Sequence, residues 1–281
     1  MLMERIQVYR ENQRYIRYEK REIQKLSRID CDAHCLRAIT AGEIHHIFTD
    51  PAVDHDWAES EKMLSRHCAI ADGATSAVNP GDRRALYYLI RGLMPGRVLE
   101  IGTHVGASTA HIASALSALS HRNELQKPAL VSVDLEDVNA PNGPWKRMSL
   151  QSSPSDMLQG LGIRDMVLFI QNRSPEFLRQ PLHKYDLIFL DGSHAASVVY
   201  QEIPLALSAL NQNGVILLHD FYPGNRPLWS SNRRIVPGPW IAVQRLRKEG
   251  APLQAHPLGA LPWPTKMGTS VTSLALLARE L

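Results

Sequence analysis

The chain has 281 residues, 44% of them hydrophobic and 6% aromatic, with a formal net charge of +3. That suffices for one large domain or a domain with an appendage, and the near-neutral balance argues against an extended nucleic-acid face. Three cysteines (Cys31, Cys35, Cys68), a charged N-terminus without an apolar signal core and the lack of any run as long as a membrane span argue against a disulfide framework, a secreted chain and a membrane partner; a cytoplasmic chain is expected.

Residues 1–78 read as a helical arm or lid, distinct from a main domain over 79–281. Met1–Arg28 is charged and helical in pattern, with Ile6, Tyr9, Gln13, Ile16 and Ile23 loosely on one face. Such a helix needs a partner surface. Homodimerisation through the N-terminal helices is one expectation, and packing on its own domain is the other. Cys31, His34, Cys35, His45, His46 and Cys68 match no closed zinc spacing, so they read as buried thiols and helix-surface histidines. Ala58–Ala69 is a further helix. Asn79-Pro80-Gly81-Asp82 starts an amphipathic helix that continues through Arg83–Leu93, and Pro95-Gly96 ends it.

Arg97–Ser108, RVLEIGTHVGAS, reads as a buried strand, Val98–Ile101, entering a glycine turn and a helix. Gly102 and Gly106 allow a ligand close to the backbone, and the helix start offers free N–H groups. The spacing is not the G-x-G-x-x-G of dinucleotide binders. The E-x-G-x-x-x-G form resembles motif I of class I S-adenosylmethionine-dependent methyltransferases. The resemblance implies S-adenosylmethionine as cofactor, Glu100 near its amino-acid part, and Gly102, Thr103, Gly106 and Ser108 around it.

Thr109–Leu119 is a small-residue helix, and Arg122–Pro128 is a polar connection. Leu130–Val133 is the second strand. Asp134 follows at its carboxyl end, where ligands bind in open α/β sheets, and can accept from both ribose hydroxyls. Asn139–Trp145 is a loop on the same edge, from which Trp145 could cover the base or pack on the surface. Ser155–Leu161 is a helix and Met166–Ile170 the third strand. In the family the end of this strand contacts adenine, which implies that role for Ser174.

Tyr185–His194, YDLIFLDGSH, is a buried strand ending in Asp191, with His194 close behind. A helix follows, then strand Val215–Leu218, ending in His219-Asp220. The D-G-x-H … H-D pattern resembles a methyltransferase family (family 24-like) related to catechol-type and sugar O-methyltransferases, some of them magnesium-dependent. Two acids on neighbouring strand ends suit Mg²⁺ or another divalent ion. Asp191, His219 and Asp220 are the candidate ligands. His194 lies near the position of the family's catalytic lysine and can serve as general base, with Asp191 beside it. One departure stands out: catechol-type enzymes have asparagine after the second aspartate, and here Phe221 follows Asp220. Histidine is also a better ligand for softer metals.

Tyr222–Gly238 is a long loop on the same edge, a frequent sign of function. Arg226, Arg233 and Arg234 could bind an anionic group of the substrate, and Tyr222 and Trp229 could pack on it. Trp240–Lys248 is a helix, with final strands at Gln254–Leu258 and Val271–Leu277. The expected fold is a Rossmann-like doubly wound α/β sheet of seven strands with an antiparallel last strand, plus an N-terminal helical extension. The expected activity is methyl transfer to a small-molecule acceptor, at a hydroxyl oxygen. The alternatives are metal-independent S- or N-methylation of an amino acid or other small carboxylate, and non-catalytic binding of the cofactor.

Overall fold

A computed structural model describes residues 2–67, 77–120 and 125–279. Three helices precede the sheet: α1 (Leu2–Gln24), α2 (Ala41–Phe48) and α3 (Pro51–His67). Sequence periodicity alone did not indicate α2. Its start is a capping box in which the Thr40 side chain accepts from the Glu43 N–H, and the Glu43 carboxylate accepts in return from the Thr40 N–H. α3 begins earlier than expected, with Pro51 in its first turn. Positions 68 and 69 of the expected Ala58–Ala69 helix, with Cys68, lie outside the described residues.

The next helix is α4 (Pro80–Leu93), capped by the Asn79 side chain, which accepts from the Asp82 N–H. Then follow β1 (Val98–Ile101), α5 (Ala107–Ser120), β2 (Leu130–Asp134), the short α6 (Pro144–Arg147) and α7 (Pro154–Gly160), and β3 (Val167–Gln171). The chain continues through α8 (Ser174–Arg179), β4 (Tyr185–Leu190), α9 (Ala196–Ala209), β5 (Leu210–Leu218), α10 (Gly238–Lys248), β6 (Leu253–Pro257) and β7 (Ala275–Arg279).

The strands form one seven-stranded sheet in the order β3-β2-β1-β4-β5-β7-β6. β1 to β5 are parallel, and β7 runs antiparallel between β5 and β6. The parallel strands are apolar almost throughout because helices cover both faces. Val98, Leu130, Leu187, Phe189 and Leu217 pack toward α4, α5 and the α2–α3 pair. Leu99, Ile101, Val133, Ile188 and Leu218 pack toward α9, α10 and α1. The N-terminal helices thus serve both faces of one sheet.

The buried face of α1 differs from the expected one. Ile16, Glu19 and Ile23 are buried, whereas Ile6 and Tyr9 are exposed, because α1 meets α9 and α10 mainly over its second half. The last strand also begins later than expected. Val271–Leu274 is held instead by scattered bonds, including Phe221 N–H to the Ser273 carbonyl at 2.9 Å and Leu274 N–H to the Thr272 hydroxyl at 3.0 Å. No helix among the described residues is long and apolar enough to cross a membrane.

Candidate active site

The carboxyl ends of β1 to β5 open into a cleft of about 840 Å³, the usual ligand position in such sheets. Gly102 stands at its centre with φ +100°, and a Cβ there would lie 2.3 Å from the Asp191 carbonyl oxygen. Any side chain would force apart the ends of β1 and β4. Gly106 has φ +78° and abuts Pro154. The turn is tied to β2 by Asp134, whose carboxylate accepts from the His104 N–H at 2.8 Å and the Glu136 N–H at 3.0 Å. Both oxygens are thereby fixed at the cleft wall, with lone pairs to spare for a diol.

Glu100 does not face this cleft, so the expected contact with the amino-acid part of the cofactor is corrected. Its side chain points to the α5 side of the sheet and is fully buried. Oε1 accepts from the Ser108 hydroxyl at 2.5 Å, and Oε2 from Thr109 at 2.5 Å and Ser132 at 2.6 Å. Thr103 joins the group through the Ser132 hydroxyl at 2.6 Å. Glu100 braces the turn from behind, and the Ser108 hydroxyl is committed to it.

Burial lifts the Glu100 carboxyl to about 7, against the pull of its three hydroxyl partners and with some help from Asp191. Unfolded, the group would ionise near 4.5. The folded chain holds this proton more tightly, so the contribution to stability is complete below the unfolded value and is lost as pH rises through about 7. Glu100→Gln should flatten that fall by up to about 3 kcal/mol between pH 5 and pH 8. Urea midpoints at the two pH values measure it, and an unchanged slope would place the titrating group elsewhere.

The other half of the site lies over β4 and β5. His219 is buried, with Nε2 3.1 Å from Asp82 Oδ2 and Nδ1 3.0 Å from Asp191 Oδ1 and 3.7 Å from Asp220 Oδ1. The Asp191 contact is an ion pair without hydrogen-bond alignment. Burial alone would push His219 down, but the carboxylates of Asp191, Asp220 and Asp82 outweigh it and hold the ring well above its ordinary value. His194 Nε2 lies 3.5 Å from Asp220 Oδ2 on the more open rim. Asp220 has φ +49°, a left-handed conformation uncommon outside glycine and of the kind that clusters at functional sites.

Asp82 is the member that sequence reading missed as a site residue. It is fully buried in the first turn of α4 and accepts from the Asn79 amide at 2.7 Å as well as from His219. It reads in sequence as an ordinary helix-start acid, and 137 positions separate it from His219. Ser273 is also new: its hydroxyl lies 3.4 Å from both His219 Nε2 and Asp220 Oδ1.

The donor atoms of Asp191, His219 and Asp220 lie within 4.8 Å of one another. The cluster gathers three carboxylates around one imidazole, an excess of negative charge that fits a divalent cation. The mixed nitrogen and oxygen set suits manganese, iron or zinc better than magnesium, and Asp82 would orient the ring from behind. Cys31 and Cys35 carry no such geometry. Both are free, burial pushes Cys31 up to about 12, and Cys35 donates to the Leu207 carbonyl at 3.3 Å.

The expected substrate loop is placed differently. Tyr222 and Trp229 are buried in the α9–α10 core and do not line the cleft. The Trp229 indole donates to the Val271 carbonyl at 3.2 Å. Arg226, Arg233 and Arg234 are exposed. The loop is clamped by α1, through Asn12 to the Arg233 carbonyl at 2.7 Å and Glu11 to Arg234 at 3.5 Å. Trp145 is likewise turned to its own loop and donates to the Ala140 carbonyl at 3.0 Å. Ser174 lines the cleft.

Comparison with known proteins agrees with this arrangement. Residues 99–221 match a family model described as a methyltransferase domain. No curated protein matches the chain. Among solved structures, an O-methyltransferase from Bacillus cereus in complex with SAH is similar at 17% identity, covering 79% of this chain and 90% of its own, with a TM-score of 0.52. The O-methyltransferase TomG from Streptomyces achromogenes, involved in tomaymycin synthesis and in complex with SAM, is similar at 18% identity over 82% and 90%, with a TM-score of 0.50. Cofactor-bound Rv0187 from MTB is similar at 20% identity over 82% and 90%, with a TM-score of 0.51. At such identities the structural likeness speaks for the fold, while the family match spans the glycine turn, Asp134, Asp191, His194 and His219-Asp220. Residues 99–221 are thus a methyltransferase domain, carried on the fold that these O-methyltransferase structures share.

Proposed function

We propose that the enzyme methylates a hydroxyl oxygen of a small-molecule acceptor, with His194 as the general base. The observation that carries this is the pair His194–Asp220 at 3.5 Å on the cleft rim, a base with a carboxylate to orient it, next to Asp191. When bound, S-adenosylmethionine supplies an electrophilic methyl group on a positive sulfur. The acceptor oxygen forms a bond to the methyl carbon as the carbon–sulfur bond breaks. The electron pair stays on sulfur, which leaves as the neutral thioether. The hydroxyl proton goes to the His194 imidazole, at the nitrogen that Asp220 does not hold.

Asp134 holds the ribose end, and the glycine turn admits the cofactor backbone. Together they fix the two reactants relative to each other, and much of the rate gain in a two-reactant transfer comes from such positioning. Asp191, His219 and Asp220 would hold a divalent cation, which would supply a Lewis acid that lowers the acceptor pKa. A metal-free version is favoured by a specific observation: His219, held well above its ordinary value between Asp82 and Asp191, itself brings positive charge to this spot.

The test is a screen for S-adenosylhomocysteine release over hydroxylated aromatics, sugars and amino acids, each with and without EDTA. Turnover with hydroxyl acceptors is expected. Turnover confined to thioethers or amines would contradict the oxygen assignment. Activity abolished by EDTA and restored by Mn²⁺ supports the cation, and activity surviving EDTA supports the imidazolium.

A further inference from the structure

Glu202 sits in the middle of α9 and is 1% exposed, between the buried Tyr200 and Ile203. Its carboxylate has one hydrogen-bond partner among the described residues, the Ser174 hydroxyl, which donates to Oε1. A buried carboxylate is costly, and an aliphatic side chain such as that of neighbouring Ile203 would pack here without that cost. Ser174 in turn lines the cleft at the end of β3. The acid therefore acts on the cleft through one hydroxyl.

The order of groups along the sheet edge says which part of a ligand Ser174 meets. The reacting groups Asp191, His219 and Asp220 lie over β4 and β5, and Asp134 lies at the end of β2. The sheet order places β3 one strand further out. A nucleoside with its sulfur near Asp191 and its ribose on Asp134 extends its base toward Ser174.

We propose that Glu202 is a positioning residue for base selection: by taking the Ser174 hydrogen it fixes that hydroxyl as an acceptor toward the cleft, so the site selects a base with an amino group and rejects one with a carbonyl. This rests on the cleft being the S-adenosylmethionine site. An ionised carboxylate can only accept, so the hydroxyl has to donate to it. Burial lifts Glu202 to about 7 while the Ser174 bond pulls it down, and a measurement at pH 8.5 therefore examines the ionised form.

The test compares S-adenosylhomocysteine with S-inosylhomocysteine, which carries a carbonyl in place of the amino group, by calorimetric titration. Wild type should prefer the adenosyl compound by about tenfold or more, the usual scale for a mismatched buried hydrogen bond. Glu202→Leu frees the hydroxyl to donate, and the preference should fall to within about threefold. Ser174→Ala should lower it as far, with no further change in the double variant. Glu202→Met keeps most of the side-chain length but removes the carboxylate acceptor, so it should also lower the preference and decides the matter if the leucine variant does not fold. Equal binding of the two compounds by wild type, or a preference unchanged in the Glu202 and Ser174 variants, would overturn the proposal. Asp134→Ala should weaken both compounds alike. If it does so while the Glu202 variants keep the preference, the site reading stands and only the role of Glu202 falls. If neither compound binds wild type, the site reading falls and the proposal with it.

Discussion

Replacing His194 by alanine should lower single-turnover methyl transfer by about 10²–10⁴-fold, the range for loss of a positioned general base, with little change in S-adenosylhomocysteine affinity. The expectation follows from how firmly the structure holds this residue. Gly238, at the start of α10, packs so closely that a Cβ there would lie 1.9 Å from the His194 carbonyl oxygen. On the other side, Glu19 of α1 is buried and accepts from the Ala196 N–H at 2.6 Å. α1 thus supplies the start of α9 with the cap that Ala195 lacks. The ring projects from this clamp to within 3.5 Å of Asp220. Rapid-quench rates with a hydroxyl acceptor, beside a calorimetric affinity for S-adenosylhomocysteine, separate the two effects. A rate equal to wild type would remove His194 from the mechanism.

Much of the fold was legible because both faces of the sheet are covered. Apolar runs at Val98–Ile101, Leu130–Val133 and Tyr185–Leu190 could only be buried parallel strands, and the acids Asp134, Asp191 and Asp220 stand where such strands end. The same double coverage hid the orientation of Glu100. With no polar–apolar alternation along β1, nothing in the pattern says which face the third residue takes, and it faces α5. Asp82 and Glu202 were missed for different reasons. Asp82 has the local role of a helix-start acid, and only the tertiary fold brings His219 to it. Glu202 sits in an apolar stretch of helix, and its partner Ser174 lies 28 positions away.

The substrate loop shows the opposite error. Tyr222, Trp229 and the arginines form a composition that suits anion binding, but the aromatic side chains are used in the core and the loop backbone is held by α1. Ala77, Val78, His194 and Asp220 line the cleft instead.

The measurement closest to the central claim is titration of S-adenosylhomocysteine into wild type and Asp134→Ala. Two hydrogen bonds to a charged carboxylate are lost together in that variant, which predicts about 10²–10⁴-fold weaker binding. Because Asp134 also holds the His104 and Glu136 N–H groups, Asp134→Asn serves as a control that retains an acceptor, and circular dichroism checks the fold of both. Saturable one-to-one binding by wild type is expected, weakest in the alanine variant. No binding by wild type, or equal binding by folded Asp134→Ala, would contradict it.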